Sequence, residues 1–270
     1  MSRARVSGVA TLREQEVRFP FDGEAARANR VVRERQLDVL RGVPLDEWTR
    51  SSRCSGWPVH DVVRHVVQMN EVMVGTAEAA RAGERYERMR GFDAKTTPSA
   101  WLADAPAAAP EETLAEFERT TRAVIDAGDA VGADVPVGSP AGRQPWARVL
   151  LHALFDALVH ERDVTEPLGR ATPNDPAHLP VVAYVLLLAA RVACAYGFEF
   201  AVRIDLGEQA LDVSVRGAAV EVEPVAEREG AVTADPLLLL DGLSGCVPLS
   251  EVLAAPDDVR AALGLLSRSL

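Results

Sequence analysis

Apolar residues in the first two thirds of the chain recur at helical spacing, whereas those further on alternate. Val62, Val66, Met69 and Met73 fall on one stripe of a segment covering residues 57–82. Proline at 58 suits a first helical turn, and Asp61 complements its positive end. An earlier segment, 22–41, has helix-forming composition, with Asp22 placed as an N-cap and Gly42 and Pro44 as stop signals. Residues 111–129 form a third helical pattern, and Pro145 opens a fourth, 146–165, closed by Pro167 and Gly169. The intervening stretches are polar and broken. Residues 83–110 carry Gly91, Pro98 and Pro106 and read as a long connection able to cover a pocket mouth, and 131–145 reads as a loop. Four helices with long connections predict a bundle over residues 22–170.

The texture changes after residue 170. A helical segment at 181–196 precedes three alternating runs, 199–206, 210–215 and 219–225, joined at Gly207 and Gly217, and two helical segments follow at 236–243 and 256–266. Residues 171–270 therefore read as a smaller, separate α/β domain, and the fold class as α+β. Residues 1–21 lack a sustained period and form an arm that adds a short strand or lies disordered.

Charge narrows the partners. The net charge is -11, and Lys95 is the single lysine among 29 basic residues, so no basic stripe exists for nucleic acid or an anionic membrane. Cys54, Cys194 and Cys246 are odd in number and far apart, which supports neither a disulfide framework nor a Cys-only zinc site. The first 15 residues contain no apolar core of signal-peptide length. The longest apolar run, 179–190, is too short to span a bilayer before Arg191 interrupts it. The expected location is the cytoplasm.

The fourth helix carries the most informative chemistry. His152, Asp156, His160 and Asp163 share one stripe, while Leu150, Leu151, Leu154, Phe155 and Leu158 fill the rest. Residues four apart project side by side, so Asp156 and His160 can each give one atom to a divalent ion. His65, at the edge of the apolar stripe of the second helix, supplies a third donor. Two histidines and one carboxylate with open positions suit zinc, nickel or iron(II). A polar stripe is also the ordinary solvent side of a helix, and a histidine at a core edge is ordinarily structural. This stripe, however, lacks the Lys and Glu of a solvated face, and it holds two of the five histidines.

Residues 48–65, WTRSSRCSGWPVHDVVRH, resemble the C-P-G-W-T-V-x-D-V-x-x-H signature of the mycothiol-dependent maleylpyruvate isomerase family, a relative of the DinB-like bundles. Residues 156–163 similarly resemble the family's E-x-x-x-H-x-x-D element, which Leu168 and Gly169 follow. The resemblance extends from about residue 24 to the C-terminus. It implies a DinB-like metal-binding four-helix bundle with a C-terminal sterol-carrier-like domain. It also implies His65, Asp156 and His160 as ligands of a divalent metal, zinc before others, with mycothiol as thiol cosubstrate and a small electrophilic metabolite as its partner.

Two departures bear on the reaction. Asp156 stands where the family usually has Glu, one methylene longer, which makes His152 an alternative ligand. Cys246 falls where family members commonly read Arg, a residue that contributes to catalysis in the isomerase. Thiol S-transfer or thiol exchange is therefore expected ahead of maleylpyruvate isomerisation, with a metal-free binding or regulatory protein as the rival. Cys54 is expected to be structural, Trp57 and Trp146 to be core anchors, and Asp61 and Asp163 to orient histidines or to serve as a cap and a surface charge.

Overall fold

The structure is a computed structural model that describes residues 15–84, 86–139 and 142–269. It divides into two compact units, one of residues 22–181 and one that joins the described residues up to Phe21 with 182–269. The division falls after Val181, eleven residues beyond the break at 170 read from composition, because the breaker-rich stretch stays with the bundle. There the side chain of Arg170 donates to Gly42 O at 2.7 Å.

A strand, β1 (Glu16–Arg18), precedes the bundle. The bundle contains α1 (Ala25–Arg41), α2 (Val59–Ala82), the short α3 (Thr97–Asp104) and α4 (Pro110–Ala130). A hairpin of β2 (Pro136–Ser139) and β3 (Gly142–Pro145) leads into α5 (Trp146–Thr165). Helix α2 packs on α4 and α5, and α1 on the same two helices. Their shared core includes Leu37, Leu40, Trp48, Val62, Phe117 and Val164. Each such side chain contributes roughly 1.5–3 kcal/mol when fully buried.

Local chemistry sets the ends of these helices. Gly83 closes α2 in the left-handed conformation at φ 72°. Asp22 is not the N-cap of α1, which begins after Glu24 without a side-chain cap. Its carboxylate instead accepts from Arg148 of α5 at 3.2 and 3.3 Å, an ion pair that ties the chain entry to the fourth long helix. The connection 83–110 contains α3, and the loop 131–145 contains the hairpin. Neither shows the apolar alternation or long stripe that marks an element in sequence.

In the other unit α6 (Leu179–Ala195), from Val182 on, accompanies a five-stranded sheet. Its strands β4 (Phe200–Asp205), β5 (Ala210–Arg216), β6 (Ala219–Val225) and β7 (Val232–Thr233) join β1 in the order β1-β6-β5-β4-β7. The three central strands pair antiparallel, and β1 and β7 add parallel edges. Val213, Val215, Val220 and Val222 are buried, as the alternation requires. Helices α7 (Pro236–Ser244), α8 (Leu249–Val252), α9 (Asp257–Leu263) and α10 (Leu266–Ser269) complete it. Asp235 caps α7 by accepting from the amides of Leu237 and Leu238. The apolar stretch 176–195 has a mean hydropathy of 1.8 and is long enough to cross a membrane, contrary to the shorter run read before Arg191. It is a core helix, 72% buried, and Arg191 continues it while bonding Gln15 through Nε at 3.1 Å.

Candidate metal centre

Helices α2 and α5 place His65, Asp156 and His160 together. The signature ahead of α2 aims its first turns. Cys54 to Trp57 form a turn closed by Trp57 N–H donating to Cys54 O at 3.1 Å. Gly56 takes φ 82° in it, a conformation other residues resist. Ser52 locks the turn, its hydroxyl accepting from Cys54 N–H at 3.0 Å and donating to Trp57 O at 2.8 Å. Two turns into α2, His65 faces α5 from a buried position, with the ring of Trp57 5.4 Å away. Trp57 is half-buried, packed against the edge of the bundle core beside the site, whereas Trp48 and Trp146 are fully buried.

Asp156 Oδ1 lies between the two imidazoles, 3.5 Å from His160 Nε2 and 4.0 Å from His65 Nε2. The rings of His65 and His160 stand edge to face, 4.9 Å apart at 86°. All three donor atoms fall within 4.8 Å of one another. Two nitrogen or oxygen ligands of a tetrahedral zinc at about 2.05 Å are about 3.4 Å apart, so this spacing fits a divalent ion after small movements. The shorter carboxylate therefore reaches. His152, the alternative ligand, is exposed and outside the group.

The electrostatics favour a cation. Burial alone lowers the pKa of His160, but Asp156, Asp163 and Cys54 together outweigh it and raise that pKa well above the usual histidine value. For Asp156, burial pulls upward, and His160 and His65 overcome it to hold the carboxyl well below its usual range. Positive charge is thus favoured at this point between two carboxylates.

Access is one-sided. On the apolar side a narrow cavity of about 20 Å³, lined by Gln36, Val62, Phe117 and His160 among others, has room for about one water. The Asp156 side chain is 30% exposed and is the member of the trio most open to an incoming ligand.

A family model, the mycothiol maleylpyruvate isomerase N-terminal domain, matches residues 22–165. The chain belongs to this family. The match ends where α5 ends and contains all three residues of the trio. Two crystal structures are similar in fold, one of the mycothiol-dependent maleylpyruvate isomerase and one of a histidine-to-alanine mutant of it. They are 14% and 13% identical, each with a TM-score of 0.60 over 90% of this chain and 94% of theirs. At that identity the likeness shows a shared α+β fold. No curated protein matches the chain by sequence.

Within this family member, residues around the trio go beyond the sequence reading. Arg53, in the signature but given no role, reaches Asp163 through Nε at 3.0 Å across 110 positions, a separation that hides the pair from any local pattern. Arg33 is buried on α1 with Nε and Nη1 unpartnered, and Nη2 donates to Ala153 O at 3.5 Å. Burial lowers its pKa to about 10, with Asp156 as the counteracting charge. Its signal was legible, because Asn29, Arg33 and Gln36 repeat at helical spacing among apolar residues. Asp61 orients no histidine and pairs with Arg64 at 3.0 Å. In the C-terminal unit Cys246 is exposed and lines an open cavity of about 370 Å³ with Ser267 and Gly245, among other uncharged residues.

Proposed function

We propose that the chain is a metal-dependent thiol enzyme that transfers or exchanges the sulfur of mycothiol onto a small electrophilic metabolite. The observation that carries the reading is the convergence of His65, Asp156 and His160 from two helices on one point, open on the side of Asp156. These residues would hold a divalent ion, with zinc the best match to two imidazoles and a carboxylate. Held by these residues, such an ion would supply Lewis-acid lowering of a thiol pKa, making thiolate available near neutral pH.

The chain's own groups set the rest. Asp156 would contribute negative charge to the ion, and the thiol proton would pass to solvent. His65 is buried and shields one side from water. The sulfur would then either add to one carbon of a polarised double bond, whose π electrons move to the conjugated oxygen as an enolate that solvent protonates when the adduct is released, or displace another thiol, which leaves with the proton. If that adduct is the product, the reaction is S-transfer; if the C–S bond breaks again after rotation, it is isomerisation.

Family membership favours the isomerase as a second reading. S-transfer is placed first because the C-terminal unit offers Cys246 where the family's arginine is expected. Arg203 is no substitute, since its guanidinium is engaged with Asp212 at 2.6 and 2.9 Å.

The test is calorimetric titration of zinc-loaded protein with mycothiol in buffers of different ionisation enthalpy. Binding with release of about one proton is expected, and its loss in His160→Ala. Protein that takes up neither zinc nor thiol would return the chain to the metal-free binding class.

A further inference from the structure

Around Asp163 the donors are arranged in an unusually complete way. Its Oδ2 meets His160 Nδ1 at 2.9 Å and receives the Cys54 thiol at 3.0 Å, while Oδ1 receives Arg53 Nε at 3.0 Å. The backbone repeats the link, with Arg53 N–H donating to Asp163 O at 3.1 Å. Glu166, one turn on, fixes the far side of the guanidinium, accepting from Arg53 Nη1 at 2.6 Å and pairing with Arg162. The carboxylate is 4% exposed, so these bonds are made with little competition from water.

We propose that Asp163, clamped by Arg53 and Cys54, is a positioning residue that holds the His160 ring with Nδ1 protonated and Nε2 turned to Asp156 and His65. The inference rests on the metal-centre reading for its purpose but not for its geometry. A histidine whose Nδ1–H is committed to a carboxylate presents the lone pair of Nε2 in a fixed direction and with raised basicity. Asp163 accepts every bond it makes, so the proton between it and His160 belongs to the ring.

Two other roles for the cluster fail on geometry. Cys54, His160 and Asp163 are not a nucleophile, base and orienter, because both Cys54 and Asp163 meet the same ring nitrogen; the thiol lies 3.8 Å from Nδ1. Such a relay needs opposite nitrogens. Burial also raises the Cys54 thiol, which suits a neutral S–H donor. The same three residues bring donor atoms within 4.8 Å of one another and so offer a second metal set. An ion there would displace the proton from Nδ1 and sit beside the Arg53 guanidinium, which already occupies one oxygen of Asp163.

The experiment compares wild type with Asp163→Asn in two readouts. In metal-free protein, nitrogen-15 NMR should show a downfield, slowly exchanging Nδ1 proton on His160, and Asp163→Asn should abolish it. By chelator competition, Asp163→Asn should weaken zinc about 10- to 100-fold, as loss of an outer carboxylate does elsewhere. Arg53→Gln and Cys54→Ala each remove one donor and keep the carboxylate. Each should weaken zinc about 2- to 10-fold, the size of one hydrogen bond, and they serve if Asp163→Asn does not fold. Absence of the proton signal from wild type, or unchanged signal and zinc affinity in the variants, overturns the proposal. A wild type that shows the proton but binds no zinc refutes the proposed function while leaving the positioning role of Asp163 intact.

Discussion

At the scale of single residues, the proposed metal site turns on Asp156, which is one methylene shorter than the glutamate that the family resemblance implies there. Asp156 has one fewer methylene to span the gap between α2 and α5, yet its Oδ1 stands 3.5 and 4.0 Å from the two imidazole nitrogens. At these distances the proposed ion would need no longer side chain at 156. His152, one turn earlier, is turned outward. Removing any one of three protein ligands leaves too few donors to hold an ion through purification. His65→Ala, Asp156→Ala and His160→Ala are therefore each expected to fall from about one divalent ion per chain to near none by elemental analysis, and His152→Ala to keep its ion. Metal retained in Asp156→Ala and lost in His152→Ala would move the third ligand to His152.

At the scale of elements, α1 and α4 meet where one glycine lets them. A Cβ on Gly128 would lie 2.8 Å from Asn29 Nδ2 and 3.3 Å from Leu150, and Asn29 Nδ2 donates to Val124 O at 3.2 Å in the same contact. Helix propensity alone would make Gly128→Ala favourable by about 1 kcal/mol. Overpacking a close helix contact costs about 1–3 kcal/mol, and displacing Asn29 adds a buried unsatisfied amide, so the net effect should be destabilising. A lower urea midpoint with an unchanged slope is the expected result, and a higher midpoint would show that α1 yields. These contacts also explain what was legible in sequence. Helix α5 was readable to the residue because Pro145 and Pro167 bracket an apolar pattern, and α2 because Pro58 and Gly83 do. Helix α3 and the β2–β3 hairpin were not, since eight and four residues carry too little periodicity against Pro and Gly. The site divides in the same way. His160 and Asp156 are four apart and visible, His65 was offered by its place at the edge of the α2 stripe and again by the family signature, and the Arg53–Asp163 bond exists only once the bundle closes.

For the whole molecule, the proposed reaction turns on net charge and on Cys246 standing where the family resemblance implies an arginine. Zinc that binds the folded chain and not the unfolded one should stabilise it by about 2.7 kcal/mol at 100 times its Kd, so a thermal midpoint that rises with zinc and falls with chelator is expected. The reaction is constrained more sharply. Isomerising maleylpyruvate means holding a dianion and stabilising the enolate formed when sulfur adds, for which a fixed guanidinium is well suited. At net charge -11 the chain offers little compensating field. Its C-terminal cavity presents Cys246 among uncharged residues, Arg203 is spent on Asp212 and lies near Glu227, and Arg216 is exposed. Arg33, the buried cation whose charge bears on Asp156, is sealed within the bundle and closed to substrate. Zinc-loaded protein supplied with mycothiol should therefore turn over maleylpyruvate negligibly, while a larger, less charged electrophile yields a stable thioether or thiol-exchanged product whose mass includes mycothiol. Efficient isomerisation of maleylpyruvate by the wild type would show that the enolate is stabilised without that arginine and would return the chain to the family's founding reaction.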